Sequence, residues 1–263
     1  MTRTAIEIRD VSFAHASEIP PALNGVSLNV QPGEAVALLG ASGAGKTTLL
    51  TLLDGRLRDW TGSALVLGRP LHPDRMPPKK ARADSGFIFQ EFALVERSPV
   101  LRNVLNGRLG RMPGLTAFLG RHGARDIGIA RRALADCGIA ELADRRVDSL
   151  SGGQRQRVAI ARCLAQEPQL ILAGEPVSSL DPTRAAEILE QITGAARDRG
   201  ATVIFSSHQP ELAARFANRI VGMTKGRIAF DRPASDLPEH DIAALYRDEV
   251  AQADAGPALR VVR

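Results

Sequence analysis

Residues 40–48 (GASGAGKTT) hold the side chains most clearly suited to chemistry. They follow an apolar run at 35–39 and open a helical pattern at 46–53. Glycines at this spacing let consecutive backbone N–H groups converge on phosphate oxygens, and a helix start adds favourable partial charge. Lys46 is predicted to reach the β- and γ-phosphates of a nucleotide, and the Thr47 hydroxyl to bind Mg²⁺.

The alternative to a phosphate site is an ordinary glycine-rich turn. Chance alone gives this pattern in only about three of every thousand chains of such composition. The sequence therefore predicts that a nucleotide binds here. The residues assigned to this site are Gly40, Ala41, Ser42, Gly43, Ala44, Gly45, Lys46, Thr47 and Thr48.

A second constellation lies about a hundred residues later, in LSGGQ at 150–154. Ser151 is placed to cap a helix that begins near Gly152, and a capped helix end with two glycines can approach an anion closely. Simple capping would explain Ser151 but not Gly152, Gly153 and Gln154 together.

The elements that must position these residues follow from hydrophobic periodicity. Alternating segments predict strands of a partly exposed antiparallel sheet at 4–8 and 26–30, with a turn at Asn24–Gly25. Continuous apolar runs predict strands buried on both faces, at 35–39, 169–173 and 201–205. Helical patterns separate them, at 46–53, 154–166 and 182–199, which indicates a mostly parallel sheet. Two short strands at 219–224 and 227–231 are predicted to meet at Lys225–Gly226.

The hydrophobic pattern changes over residues 91–165, which lack the apolar runs of buried strands and contain periodic helical segments such as 126–138. We interpret this region as a helical subdomain inserted into the α/β core. We interpret residues 1–247 as one domain and 248–263 as a C-terminal tail.

Composition limits the class of protein. The chain has 263 residues, 44% hydrophobic and 24% charged, with a formal net charge of +5. These values are typical of a folded globular protein and exclude a collagen-like or wholly disordered chain. No apolar run approaches the ~20 residues that span a bilayer, and the N-terminus lacks the apolar stretch of a signal peptide. Cys137 and Cys163 are predicted to be buried, reduced thiols.

The chain resembles the ATP-binding subunits of ABC transporters. GASGAGKTT and LSGGQ carry the resemblance, and further family motifs occur in order: Gln90 in GFIFQ as the Q-loop, Ser178–Asp181 (SSLD) as the D-loop, and His208 in SSHQ as the switch histidine. The resemblance implies a phosphate-loop NTPase core with an N-terminal antiparallel β subdomain and a helical subdomain. It implies ATP and Mg²⁺ as cofactors.

The same resemblance implies the roles of individual residues. Glu175 fits the general base, with Gln90 and His208 as further catalytic residues, and Thr47 and Gln90 as metal ligands. Two such domains dimerise head to tail in this family, so each ATP lies between one phosphate loop and the other chain's Ser151–Gln154. Asp181 precedes Pro182 and is predicted both to cap a helix and to lie at this interface.

Two positions depart from the family pattern. The family has an aspartate immediately before the catalytic glutamate, where this chain has Gly174. We expect weaker Mg²⁺ dependence and slower hydrolysis, with ATP binding largely kept; a tolerated natural variant is the alternative. The other departure is His15, which stands where the family usually has an aromatic residue that stacks on adenine, with Phe13 predicted to pack in the core.

The segments 92–110 and 206–231 are similar to ATPase subunits of phosphonate importers. The resemblance therefore implies uptake of phosphonate or a related oxyanion, powered from the cytoplasmic face of the cell membrane. The implied partners are a second copy, permease subunits and, indirectly, a solute-binding protein. One alternative is import of another solute, and a second is a subunit that hydrolyses ATP poorly and relies on a catalytic partner. A third is a non-transport ATPase that acts on nucleic acid, although we do not expect a nucleic-acid partner.

The stretch 97–132 has eight arginines and one acid, Asp126. It could dock permease helices, face anionic lipid headgroups, or form a solvated basic face.

Overall fold

The strands and helices alternate along the chain as the periodicity predicts. The computed structural model describes the backbone of residues 4–15, 20–178 and 180–254, and the side chains of those residues up to 246. The strands are β1 (Ile6–Phe13), β2 (Leu23–Val30), β3 (Ala35–Leu39), β4 (Thr61–Val66), β5 (Arg69–Pro70), β6 (Ser85–Ile88), β7 (Leu170–Ala173), β8 (Thr202–Ser207), β9 (Arg219–Thr224) and β10 (Arg227–Pro233). The α-helices are α1 (Lys46–Leu53), α2 (Lys79–Ala83), α3 (Val100–Leu105), α4 (Gly114–Phe118), α5 (Ala124–Asp136), α6 (Gly152–Ala165), α7 (Pro182–Asp198), α8 (Pro210–Phe216) and α9 (Glu239–Asp254).

The core is a six-stranded sheet in the order β10-β9-β3-β8-β7-β6. Its strands pair in parallel except for β9 and β10, which form an antiparallel hairpin at the predicted Lys225–Gly226 turn. The prediction of a mostly parallel sheet is confirmed.

Both faces of this sheet are buried, which explains the continuous apolar runs. Along β3, Val36 and Leu38 pack into one hydrophobic cluster, whereas Ala37 and Leu39 pack into the other. Because side chains alternate across a strand, a sheet covered on both sides needs apolar residues at successive positions.

The N-terminal strands form a separate antiparallel sheet, in the order β2-β1-β4-β5, as predicted. The prediction of a turn at Asn24–Gly25 is wrong, because both residues lie within β2. Gly25 has a φ of +64° and lies where the register between β1 and β2 shifts. Its left-handed conformation therefore serves an irregular strand rather than a hairpin turn.

The region between β6 and β7 is helical, as predicted for the inserted subdomain. Helices α3, α5 and α6 pack against one another, and α5 covers most of the helix predicted at 126–138. Cys137 and Cys163 are buried and unpaired, and burial raises the pKa of each thiol to about 12. Both cysteines are therefore protonated and inert at neutral pH.

The predicted start of a tail at residue 248 differs from the structure, because α9 continues across it to Asp254. Helix α9 packs against β9, and Leu245 is only 3% exposed. An apolar docking side chain therefore extends the helix beyond the predicted boundary. The rest of the predicted tail, 255–263, lies outside the described residues.

Arg108 ties three parts of the helical region together. Its side chain is 5% exposed and forms ion pairs with Asp126 at the start of α5 (2.9 Å) and Glu167 after α6 (2.8 Å). It also donates to the Ala165 carbonyl oxygen. Removing one partner of a buried ion pair is costly, because the remaining charges lose their compensation.

We predict that Arg108→Met lowers the free energy of unfolding by about 3 kcal/mol. The matched change Arg102→Met removes an exposed arginine for which the described residues provide no ion pair, and should cost less than about 0.5 kcal/mol. Urea unfolding followed by circular dichroism measures both changes. Equal losses for the two variants would contradict the assigned role of Arg108.

Candidate functional site

The phosphate loop follows β3 directly and runs into α1. Gly40 has a φ of +151°, and a Cβ there would lie 2.3 Å from the carbonyl oxygen of Met223. A Cβ on Gly45, which has a φ of +102°, would lie 2.5 Å from the carbonyl oxygen of Ala22. Any side chain at either position would clash with backbone, so these two glycines fix the path of the loop.

Lys46 folds back along this loop. Its Nζ donates to the carbonyl oxygens of Gly40 (2.6 Å) and Ala41 (2.9 Å), and the residue is only 3% exposed. The ammonium group thus lies at the N-terminus of α1, where the helix dipole also contributes positive charge. The combination is a strong attractor for phosphate oxygens.

A cleft of about 510 Å³ opens beside the loop. This volume suits a nucleotide-sized ligand. Its lining consists of His15, Pro20, Pro21, Ala22, Ala41, Ser42, Gly43, Ala44, Gly45, Lys46, Thr47, Thr48, Glu175, Thr224, Lys225 and Leu245. The predicted residues His15, 41–48 and Glu175 therefore come together in one place.

Sequence reasoning missed five contributors to this lining, namely Pro20, Pro21, Ala22, Thr224 and Leu245. It placed Lys225 in a turn without linking that residue to the cleft. The turn signal at Lys225–Gly226 could have suggested an exposed cation near the loop. No local signal marks Leu245, which reaches the cleft only because α9 packs against the sheet.

Glu175 and His208 meet beyond the ends of β7 and β8. The His208 Nε2 lies 2.7 Å from the Glu175 Oε1, and the Glu175 N–H donates to the Ser206 Oγ at 2.9 Å. Glu175 has a φ of +46°, a conformation that is uncommon for a non-glycine residue and is often found at functional sites. Contacts from β8 and the residue after it therefore hold both the backbone and the carboxylate of Glu175.

Gln90 reaches the same region from the end of β6. Its Nε2 lies 3.4 Å from the Ser178 Oγ, and the Ser178 N–H points to the Glu175 carbonyl oxygen, also at 3.4 Å. Gln90 does not line the cleft itself. Asp181 caps α7 as predicted, accepting from the Arg184 N–H at 3.1 Å, whereas Ser179 of the SSLD segment lies outside the described residues.

Ser151 and Gln154 form a reciprocal capping box at the start of α6. The Ser151 Oγ accepts from the Gln154 N–H, and the Gln154 Oε1 accepts from the Ser151 N–H. A Cβ on Gly152 or Gly153 would meet nothing within 4 Å. None of these four residues lines the cleft, so within one chain they face open space rather than the phosphate loop.

His15 lines the cleft. Its ring packs edge-on against Phe13, with ring centroids 4.7 Å apart and planes at 85°. Phe13 packs against the hydrophobic cluster of the N-terminal sheet, as predicted. Phe13 thereby supports the imidazole at the cleft by an edge-on contact.

Gly174 is buried at the end of β7, and its N–H donates to the Ile88 carbonyl oxygen at 3.1 Å. A Cβ there would lie 3.8 Å from Phe87 and 3.9 Å from Leu50, which is ordinary van der Waals contact. The fold thus has room for a Cβ atom at this position. No group of three or more His, Cys, Asp or Glu in the described part of the chain could hold a metal ion.

Both predicted metal ligands supply an oxygen: the Thr47 hydroxyl lines the cleft, and the Gln90 amide lies outside the lining, near Ser178. Both are hard, neutral ligands of the kind that Mg²⁺ accepts. With Gly174 contributing no carboxylate, these residues fit a magnesium ion that takes most of its negative charge from bound phosphates.

Comparisons with known proteins agree with this geometry. The family described as ABC transporter matches residues 23–178. The chain belongs to the ABC transporter family. It is an ATPase of the ABC class, and the structural and sequence relatives below span most of its length.

Relatives of this ABC ATPase include the phosphonates import ATP-binding protein of Thiobacillus denitrificans, 41% identical over 95% of this chain and 96% of its own. Phosphonates import ATP-binding protein 1 of Natronomonas pharaonis is 45% identical over 86% of this chain and 94% of its own.

Among solved structures, cbiO1 of Clostridium perfringens, part of the ABC transporter complex cbiONQ, has a TM-score of 0.75 at 25% identity and covers 98% of this chain and 96% of its own. The ATP-binding cassette MJ0796, solved as a dimer in a post-hydrolysis state with ADP and Pi, has a TM-score of 0.74 at 28% identity and covers 88% of this chain and all of its own. No helix in the described ranges of this ABC ATPase has the length and hydropathy needed to cross a membrane.

We predict that Gly40→Ala weakens ATP binding by about fivefold to about a hundredfold, because a strained or displaced loop costs about 1–3 kcal/mol. Titration with a fluorescent ATP analogue measures the loss. The control is Gly194→Ala on α7, where the added Cβ makes only ordinary contacts with side chains, and it should leave binding unchanged. Full affinity in Gly40→Ala would show that this glycine does not fix the loop.

Proposed function

We propose that this chain is the ATP-hydrolysing subunit of an importer for phosphonate or a related small oxyanion. One observation carries the ATPase part: the phosphate loop, Glu175 and His208 converge on a single cleft. The solute is inferred from relatives named as phosphonates import proteins that match nearly the whole chain. The solute passes through a separate permease, so it leaves no binding site on this subunit.

The chemistry proposed for the cleft is displacement at the γ-phosphorus of ATP by water. The loop N–H groups and Lys46 bind the phosphates and favour the charge that develops on them. Glu175 accepts a proton from the attacking water as a new phosphorus–oxygen bond forms and the bond to the bridging β,γ-oxygen breaks. ADP is the leaving group.

His208 orients the Glu175 carboxylate in this scheme. In the tautomer with its proton on Nε2, the imidazole donates to Oε1 and leaves the second carboxylate oxygen for the water. The hydrogen bond from the Glu175 backbone to Ser206 fixes the residue from the other side. Gln90 connects to the same loop through Ser178, so it can report the state of the cleft to the helical subdomain that follows it.

Mg²⁺ is proposed as a cofactor, with Thr47 and Gln90 as the residues that would hold it. When bound, the ion would neutralise charge on the β- and γ-phosphates. Because Gly174 provides no carboxylate, the protein's own hold on the ion is weaker than an aspartate would give.

The capped start of α6 supports a head-to-tail dimer. Ser151, Gly152 and Gly153 present a helix N-terminus that is exposed and free of close neighbours. Such an end attracts anions, yet it does not reach the cleft of its own chain. A second copy that brings this end to the γ-phosphate would complete the site, and the permease would hold the pair at the cytoplasmic face of the membrane. A periplasmic or surface solute-binding protein would deliver the solute.

The solute assignment is tested in liposomes that contain this chain and its co-purified permease with the solute-binding protein. We expect 2-aminoethylphosphonate to stimulate ATP hydrolysis, and neither sulfate nor an amino acid to do so. Stimulation by an unrelated solute alone would refute the phosphonate assignment and leave the ATPase assignment intact. Absence of hydrolysis in every condition would refute the ATPase assignment.

Gly174→Asp should lower the Mg²⁺ concentration that gives half-maximal ATP hydrolysis by about tenfold and raise turnover. The matched control is Gly174→Asn, which has the same size and no charge. A magnesium titration of hydrolysis measures both variants. Identical titrations for the wild type and Gly174→Asp would show that the missing carboxylate has no effect on metal use.

A further inference from the structure

Helix α4 exposes a patch of large apolar side chains. Leu115 is 73% exposed, Phe118 87% and Leu119 55%, and these are three of the five exposed large hydrophobic residues in the described part of the chain. Their spacing of three and four residues places them on one face of the helix. No residue of α4 is buried, so the patch is not part of the core.

All the charged residues of the segment that carries this patch, residues 111–125, are basic. It contains Arg111, Arg121 and Arg125 and no acidic residue. Arg121 and Arg125 are exposed, and neither has an ion pair among the described residues. The next acid, Asp126, is already paired with Arg108. The positive charges of Arg121 and Arg125, which follow α4 in the sequence, are therefore not neutralised by an ion pair within the described residues.

The N-terminal end of the segment is bonded to the rest of the chain. Arg111 forms an ion pair with Asp84 and donates to the carbonyl oxygens of Gln166 and Glu167. Lys79 donates to the Met112 carbonyl oxygen at 3.1 Å. These bonds anchor the residues directly before α4 to α2, to Asp84 before β6 and to the end of α6.

The positive charge of Arg121 and Arg125 indicates which kind of partner binds this surface. A second copy would place Arg121 and Arg125 against themselves in a symmetric contact, which like charges disfavour. Cytoplasmic loops of membrane proteins carry an excess of Lys and Arg, so a basic rim does not complement a permease loop. Anionic lipid headgroups attract Arg, while Phe and Leu side chains enter the boundary between headgroups and acyl chains.

We propose that residues 111–125 form a membrane-contact surface that binds anionic phospholipid, with Leu115, Phe118 and Leu119 inserted and Arg121 and Arg125 on the headgroups. No residue of this surface lines the nucleotide cleft. It would hold the subunit against the bilayer in a fixed orientation, and it does not depend on the identity of the transported solute.

The test is flotation of the full purified chain with vesicles of phosphatidylcholine alone or mixed with phosphatidylglycerol. We expect binding only to the mixed vesicles, and less of it as salt rises. The double variant R121E/R125E should lower the partition coefficient more than about tenfold, since each basic residue contributes about 1 kcal/mol near an anionic surface. L115S/F118S should lower it about tenfold through lost apolar burial.

The matched control is R197E/R215E, which changes net charge equally at exposed arginines on α7 and α8. It should retain binding, and all variants should keep the basal ATP hydrolysis of the wild type. The proposal is overturned if the wild type does not bind the mixed vesicles, if it binds neutral vesicles equally, or if the control loses as much as R121E/R125E. Loss of self-association or of permease retention in R121E/R125E, without vesicle binding, would assign the surface to those partners and also overturn it.

Discussion

The parallel register of β3, β7 and β8 is the constraint on which the candidate site depends. Leu39 pairs with Ser207 and Ala173 pairs with Phe205, so the chain leaves all three strands at the same edge of the sheet. The phosphate loop, Glu175 and His208 each begin within a few residues of that edge. A shift of one residue in any strand would turn its side chains to the opposite face and separate Glu175 from His208.

Much of this arrangement is local in the sequence and could be predicted from it. The phosphate loop is a contiguous motif, and the buried strands are recognisable because a sheet covered on both faces requires unbroken apolar runs. The contact between Glu175 and His208 was not predictable in its geometry, since it depends on which strands become neighbours. Leu245 and Pro21 are distant in the sequence from the phosphate loop and line the cleft only because tertiary packing brings them there. The turn predicted at Asn24–Gly25 was wrong because a glycine with positive φ, such as Gly25, occurs both in turns and in irregular strands.

The chain combines a complete phosphate loop with an incomplete enclosure. The loop holds Lys46 by hydrogen bonds to its own carbonyl groups, whereas the Ser151 end of α6 is capped and exposed and does not line the cleft. Gly174 is a second incomplete feature, because no carboxylate stands directly before the general base although a Cβ would fit there. Both features favour a site that is finished by other molecules: the nucleotide's own phosphates and a neighbouring subunit.

The most direct measurement of this shared enclosure is complementation between two inactive variants, Lys46→Ala and Ser151→Arg. Each variant alone should form dimers but should not hydrolyse ATP. In such a dimer, one of the two surfaces that enclose each nucleotide carries the substitution. Mixing them should restore hydrolysis, since the phosphate loop of the Ser151→Arg chain meets the intact Ser151 of the Lys46→Ala chain. A mixture no more active than its separate components, or full turnover by Ser151→Arg alone, would contradict the account.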